Sequence, residues 1–172
     1  MLGKNQQGAL RKVYLTIVRG HIERTFENGE KEEYSFVEGN IERVHYKDRT
    51  FKGESVRYWY VDLRDGEELY SVGLPLYSGT LRSLVLCLAD DKELQRGTPV
   101  RIEPYEKEGF TKVVVYTNGV KRDWATKELP PVESVQVGSK IVKDESKRDA
   151  FIEQLLKDIQ ERLQGAGVGS QE

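Results

Sequence analysis

The sequence predicts a mainly β fold, a five-stranded barrel with one helix between strands 3 and 4. Segments in which apolar and polar residues alternate are separated by turn pairs such as Asp65-Gly66 and Asn118-Gly119. This pattern is typical of antiparallel hairpins. Between the hairpins lies one segment, around Leu84, whose apolar residues recur with helical spacing.

The N-terminal third contains two alternating segments that each include a glycine. Residues 13–26 predict one strand, in which Gly20 would permit a bulge. Residues 34–46 predict the next strand, of which 36–46 would be the first strand of the barrel. We therefore expect 13–26 to be an added N-terminal strand or hairpin arm.

The middle of the chain carries the clearest signals for individual elements. Residues 56–63 and 68–76 flank the pair Asp65-Gly66 and predict a hairpin. Ser78 then stands in the position of a helix N-cap. The apolar residues that follow it have the spacing i, i+3, i+4 and i+7 of an amphipathic helix, and they are Leu81, Leu84, Val85 and Leu88.

A second hairpin follows the helix and is formed by residues 100–105 and 110–117. A glycine-bent strand, a hairpin, one helix and another hairpin describe an OB-type barrel. A β-sandwich would have no helix at this place, and a parallel α/β sheet would require more than one. We therefore expect a five-stranded OB-type barrel with an extra N-terminal strand or hairpin and a C-terminal amphipathic helix.

The composition changes after Trp124, where Pro130-Pro131 marks an extended segment. From Ser146 onward the sequence predicts an amphipathic helix with a wide apolar stripe. Such a stripe favours packing on the barrel, with a dimer contact or a docked partner as the alternatives. The expected organisation is a flexible N-terminus at 1–11, the OB-type barrel at 12–127, a linker or edge segment at 128–145, the C-terminal helix at 146–164 and a flexible tail at 165–172.

Charge and composition favour a globular protein of the cytoplasm. The chain has 27 basic and 29 acidic residues, so an anion-binding surface would have to arise from local sorting of charge. Cys87 is the only cysteine and lies in an apolar run, which predicts a core residue. The sequence predicts neither a signal peptide nor a membrane span. We expect a cytoplasmic location, in the host cytoplasm if the chain is viral, and no membrane partner.

The sequence offers little for catalysis or metal binding. The two histidines, His21 and His45, have no cysteine or histidine at metal-ligand spacing. Neither a phosphate-binding glycine loop nor a nucleophile-elbow motif is present. We expect no enzymatic activity, no metal and no cofactor. A catalytic carboxylate pair, which assembles only in space, stays open as the alternative.

Aromatic and basic side chains share the strands of the two hairpins. In residues 56–63, alternation puts Trp59 toward the core and Tyr58 and Tyr60 on the outer face. Rings beside cations suit single-stranded nucleic acid, whose bases stack on rings and whose phosphates contact cations. Ordinary cross-strand tyrosine pairs are the alternative. The candidate nucleic-acid-binding residues are Tyr58, Tyr60, Tyr105, Tyr116, Arg43, Arg57, Arg101 and Lys112.

Three stretches within residues 37–124 are V-E-G-N-I-E-R-V, V-R-Y-W-Y-V-D-L-R-D-G and R-I-E-P-Y-E-K-E-G. With these stretches the chain resembles the OB-fold single-stranded DNA-binding proteins of bacteria and their phages. The resemblance implies sequence-tolerant binding of exposed single strands during replication, recombination or repair. The chain departs from the family in its last eight residues, 165–172, which carry one acidic residue instead of an acidic run.

We therefore expect binding of single-stranded DNA on a barrel face, with RNA left open as the ligand. The alternative is a protein–protein adaptor or assembly module that uses the barrel and the C-terminal helix. In either case the helix could form a homodimer or contact a replication or recombination protein. Charge sorting decides between the two functions, because carboxylates around Tyr58 would repel nucleic acid.

Overall fold

The computed structural model describes residues 11–169, and the side chains of residues 11–165. Within these residues the chain is mainly β and contains two helices. In chain order the elements are β1 (Arg11–Val18), β2 (His21–Thr25), β3 (Lys31–Tyr34), β4 (Val37–Phe51), β5 (Glu54–Asp65), β6 (Glu68–Pro75), α1 (Gly79–Asp90), β7 (Pro99–Lys107), β8 (Phe110–Thr117), β9 (Val120–Arg122), β10 (Glu133–Val137), β11 (Lys140–Asp144) and α2 (Ser146–Gly169).

The strands β1 to β9 form one open sheet in the order β3-β2-β1-β6-β5-β4-β7-β8-β9. Neighbours run antiparallel, except that β1 and β6 run parallel. Within the part of the chain that the structure describes, no backbone ladder joins β3 to β9. The expected five-stranded OB-type barrel with its helix between strands 3 and 4 is therefore wrong. The sheet is mixed and not closed, and α1 follows the sixth strand.

The N-terminal segment, residues 13–26, is one place where the structure differs from the expected barrel. Arg19 and Gly20 have φ angles of 49° and 80°, a turn conformation that reverses the chain and makes residues 13–26 a hairpin instead of one bulged strand. The first strand of this hairpin, β1, does not lie outside the sheet as an arm. It pairs with the edge of β6, where Val13 is opposite Tyr70. Alternation within a strand cannot reveal such a distant partner.

The helix α1 and its cap are confirmed. The Oγ of Ser78 accepts hydrogen bonds from the backbone amides of Thr80 and Leu81, which satisfies two of the free amides at the helix start. Leu84 is fully buried and Cys87 is buried in the same core. Burial raises the pKa of the Cys87 thiol to about 11, so this cysteine is a core residue without thiolate character.

The helix α2 packs on α1 and β4 with its apolar stripe facing inward. Ile152 and Leu156 are at most 1% exposed, and Ile159 and Leu163 are likewise buried. The indole Nε1 of Trp59 donates a hydrogen bond of 2.9 Å to Glu153 at the margin of this interface. The stripe is therefore part of the core. The helix also extends to Gly169, beyond its expected end at 164.

The remaining expectations concern the ends and the segment before α2. Residues 128–145, expected as a linker or edge segment, contain the hairpin β10–β11, a two-stranded sheet separate from the other strands of residues 11–169. Most of the expected flexible N-terminus and the last residues of the expected tail lie outside the described residues. Neither described helix combines the length and apolarity that crossing a bilayer requires.

Gly39 marks a close approach of two backbones that a side chain would obstruct. A Cβ at this position would lie 2.8 Å from the backbone oxygen of Arg64. We expect Gly39→Ala to lower the free energy of unfolding by about 1–3 kcal/mol, because neither backbone can yield easily. Urea denaturation measures the change.

The control is Gly79→Ala, at the start of α1, where no heavy atom lies within 4 Å of the added Cβ. This variant should be neutral or stabilise the protein by about 0.4–1 kcal/mol, because alanine restricts the unfolded chain. Equal denaturation midpoints for Gly39→Ala and the unaltered protein would contradict the close approach of β4 to β5.

Candidate functional site

The two faces of the sheet differ in what covers them. We call the face that packs against α1 and α2 the inner face, and the opposite one the outer face. On β5, Trp59 and Val61 are fully buried on the inner face, whereas Tyr58 and Tyr60 lie on the outer face, as their alternation predicts. The outer face, which neither described helix covers, is therefore the face that a ligand can reach.

A buried carboxylate, that of Asp62, lies at the centre of the outer face. Its oxygens accept hydrogen bonds from Arg43 Nε at 2.8 Å, from His45 Nε2 at 3.1 Å and from Ser71 Oγ at 2.6 Å. Burial by itself raises the pKa of Asp62, but the hydrogen bonds from His45, Arg43 and Ser71 outweigh it and lower the pKa to about 2. The group is thus a charged clamp between β4, β5 and β6.

Next to this clamp, the rings of His45 and Tyr60 connect Asp62 with the side chain of Arg49. The His45 ring lies nearly parallel to the Tyr60 ring, with centroids 5.3 Å apart. Tyr60 leans over Gly73 and is only 6% exposed. Its hydroxyl accepts a hydrogen bond of 2.8 Å from Arg49 Nε. Tyr60 therefore cannot offer a free ring to a ligand, and its role is to position Arg49.

A groove of about 350 Å³ opens beside Arg49 on the outer face. We call it the aromatic groove, and the aromatic and charged side chains in its lining are Tyr14, Glu23, Arg49, Phe51, Tyr58 and Tyr60. Tyr14 is 56% and Phe51 50% exposed, and Tyr58 is half-buried between Phe51 and Tyr60. The guanidinium carbon of Arg49 lies 5.8 Å from the ring centroids of both Tyr58 and Tyr60. Exposed rings thus adjoin a fixed cation.

Charge is sorted unevenly around the aromatic groove. Among the described residues, Arg49, Lys47 and Lys12 have no carboxylate within 4 Å. Lys47 is exposed and opposite Tyr58 in the β4–β5 register, and the Lys12 ammonium lies 5.1 Å from the Tyr14 ring centroid. The groove lining contains one carboxylate, that of Glu23, within the described part of the chain.

Of the candidate residues predicted on β4 and β5, two line the aromatic groove. These are Tyr58 and Tyr60. Arg43 adjoins it through Asp62, to which its guanidinium is bound. Arg57 lies on the inner face, where it forms ion pairs with Asp48 and Glu153.

The residues predicted on the second hairpin lie elsewhere on the outer face. Arg101 is held between Glu38 and Glu103 at 3.2 and 2.6 Å. With Tyr116 it lines a separate cavity that shares no lining residue with the aromatic groove. Tyr105 and Lys112 are opposite each other in the β7–β8 register, and Tyr105 is 41% exposed. The structure does not unite the four predicted tyrosines in one cavity.

Sequence reasoning missed Tyr14, Glu23, Arg49 and Phe51 as site residues. Arg49 and Phe51 were missed because the strand was expected to end at residue 46, whereas β4 continues to Phe51. The pair Lys52-Gly53 was a local sequence signal that the strand continues to a turn at these residues. In the structure the pair adopts φ angles of 49° and 81° and closes the β4–β5 hairpin. Tyr14 and Glu23 reach the groove only through the pairing of β1 with β6, for which the sequence carries no local signal.

A larger cavity, of about 790 Å³, lies along the loop between α1 and β7. Of its cations, Arg122 binds Thr117 and Asp91. Among the described residues, Arg162 and Lys92 bind only backbone oxygens, those of Asp91 and Ala89. Arg96 is paired with Glu42. Because none of the described residues that line this cavity has an aromatic side chain on which a base could stack, the aromatic groove is the better candidate.

Comparison of this chain with protein-family models, with curated proteins and with solved structures finds no match.

The clamp predicts a specific dependence of stability on pH. A carboxyl group whose pKa is about 2 in the folded protein and about 3.9 in the unfolded chain stabilises the fold above pH 4. This contribution, about 2.6 kcal/mol, is lost as the pH falls from about 5 to 1. Asp62→Asn should therefore have a shallower acid profile and lower stability at neutral pH. Urea denaturation at several pH values measures both.

Glu67→Gln, on the exposed turn between β5 and β6, is the control and should keep the acid profile of the unaltered protein. If Asp62→Asn kept that profile as well, the hydrogen-bonded carboxylate would not be the group that titrates.

Proposed function

We propose that this protein binds single-stranded DNA in the aromatic groove and acts as a binding protein without a catalytic step. The observation that carries the proposal is the Arg49 guanidinium. Tyr60 holds it over the rings of Tyr58 and Tyr60, and among the described residues no carboxylate compensates it. The exposed rings of Tyr14 and Phe51 line the same groove as this cation.

Bases of a single strand would stack on the exposed rings. Phe51 and Tyr14 are about half exposed, and Tyr58 presents part of its ring between them. A base stacked on an aromatic ring contributes about 1–3 kcal/mol and requires no particular base. Duplex DNA keeps its bases stacked on one another and could not use these rings.

Phosphates would contact the uncompensated cations Arg49, Lys47 and Lys12. These cations border the rings, so that a strand with its bases in the groove would bring its backbone to the groove margin. The net charge of −2 does not prevent this contact, because interactions beyond about 8–10 Å are screened at physiological salt.

The proposal rests on the groove and does not require the OB-type barrel, which the sheet topology excludes. The resemblance to single-stranded DNA-binding proteins adds the expectation that such binding serves replication, recombination or repair. RNA is an alternative outcome of the test below.

Binding of oligo-dT should weaken as salt rises. Neutralisation of three phosphates predicts a slope of about −2 in a plot of log affinity against log salt concentration. Phe51→Ala should lower the affinity by about 5- to 100-fold through lost stacking, and Arg49→Gln should reduce the slope by about 0.7. Fluorescence anisotropy with DNA, RNA and duplex oligonucleotides measures these quantities.

Two variants outside the groove are the controls. Phe110→Ala removes a ring that is 68% exposed at the start of β8, and Lys143→Gln removes a charge on the separate hairpin. Both should bind like the unaltered protein. Undetectable or salt-insensitive binding of DNA would overturn the proposal, and so would tighter binding of RNA.

A second candidate function is assembly with other protein chains. The apolar stripe of α2 is buried and leaves no such surface there. The hairpin β10–β11, in contrast, pairs with none of the other described strands and exposes Val137 by 61% and Ile141 by 75%. Free strand edges with apolar side chains favour pairing with the same strands of a second copy.

Under this second candidate, the full chain should form a dimer as its concentration rises, and Ile141→Lys should weaken the dimer because a charge would enter the contact. Sedimentation velocity measures the association. Val120→Lys, at another exposed apolar position on β9, should leave the dimer intact. A chain that stays monomeric over the whole concentration range would eliminate this candidate.

A further inference from the structure

The wall of the aromatic groove contains a carboxylate that the proposed stacking and phosphate contacts do not use. Glu23 lies on β2, opposite Thr16 of β1, and both residues line the groove together with Tyr60. The Glu23 side chain is only 8% exposed. It is thus an acidic group more than nine-tenths buried in a groove whose other charged residue is Arg49.

The Glu23 carboxylate is poorly compensated within the protein. No described residue donates a hydrogen bond to it, and its one ionic contact is with the Lys31 ammonium at 3.6 Å. That distance is too long for a hydrogen bond, and the Lys31 side chain is 60% exposed, which weakens the attraction by solvent screening. The Glu23 oxygens are not among the fully buried polar atoms that lack a partner in the described part of the chain. They therefore stay accessible to a ligand that brings N–H groups, since an ionised carboxylate only accepts hydrogen bonds.

We propose that Glu23 recognises a guanine base of the bound strand, an inference that rests on the proposed function. A carboxylate can only accept hydrogen bonds. Guanine presents two adjacent donors, N1–H and the N2 amino group, which match the two carboxylate oxygens. Among the bases, guanine alone offers two such donors side by side on this edge.

The other bases fit this carboxylate less well. Cytosine and adenine present one amino group beside a ring nitrogen that accepts, and thymine presents N3–H between two carbonyl oxygens that repel a carboxylate. The groove volume of about 350 Å³ is at the lower end for small-molecule sites and suits one base unstacked from its neighbours. Phe51 and Tyr58 supply the rings on which that base or its neighbours stack.

The groove thus combines stacking, which tolerates every base, with one position that discriminates. Glu23 would supply the discrimination and Arg49 the attraction for the backbone. Because a stacked strand can slide until a guanine reaches Glu23, single guanines in an otherwise uniform strand should raise the affinity.

The test compares three oligonucleotides of about twelve residues, a length that fits one binding site. One is oligo-dT, one carries a single central guanine, and one carries inosine there, which lacks the N2 amino group. The full chain should bind the guanine strand at least about 5-fold more tightly than oligo-dT, with inosine in between, because paired hydrogen bonds to a base edge discriminate to this extent.

Glu23→Gln should abolish the guanine preference, so that it binds the guanine strand and oligo-dT with equal affinity. Glu27→Gln, at an exposed position on the β2–β3 turn, is the matched control and should retain the preference. Thermal unfolding checks that Glu23→Gln is folded. If it is not, the three oligonucleotides with the unaltered protein still decide the question.

The outcomes separate this inference from the proposed function. Equal affinity for all three strands would overturn the recognition of guanine by Glu23 and leave single-strand binding intact. No binding to any strand would overturn both guanine recognition and the proposed function. Deoxyguanosine monophosphate should compete poorly, since it brings one phosphate and no neighbouring bases. Competition at concentrations equal to those of the guanine strand would indicate a free-nucleotide site and overturn recognition within a strand.

Discussion

The buried carboxylate of Asp62 is the interaction on which the outer face depends. It joins β5 to β4 through Arg43 and His45, and to β6 through Ser71. A charged carboxylate is stable inside a protein only when donors surround it, so these strands cannot shift without a large cost. Because the His45 ring lies against Tyr60, the same constraint reaches the aromatic groove and its cation.

The division of the sheet into two faces leaves this groove available. Both helices pack on the inner face, where the apolar stripe of α2 is buried and Trp59 bonds to Glu153. Neither of the two described helices covers the outer face, and the groove lies between the β4–β5 hairpin and the strands β1 and β2. The parallel pairing of β1 with β6 is what brings Tyr14 and Glu23 to the groove.

Ion pairs between individual arginines and carboxylates, and not the net charge of the chain, determine which cations can contact a ligand. Arg57 and Arg101 are the arginines with the most ionic partners around the predicted site, and each is bound to two carboxylates. Arg49 is bound to a tyrosine hydroxyl instead and retains its full charge for a ligand. A nearly neutral chain can therefore present uncompensated cations beside a groove when most of its acidic residues are paired elsewhere.

The sequence by itself determined the elements that depend on near neighbours: α1 with its Ser78 cap, the hairpin at Gly66 and the opposite orientations of Trp59 and Tyr58. Capping, turn formation and alternation act over a few residues and leave a local pattern. Only the tertiary structure decided that β1 lies beside β6 and that Glu38 neutralises Arg101. Those partners are distant along the chain, and their meeting depends on how the whole sheet curves, which no local pattern encodes.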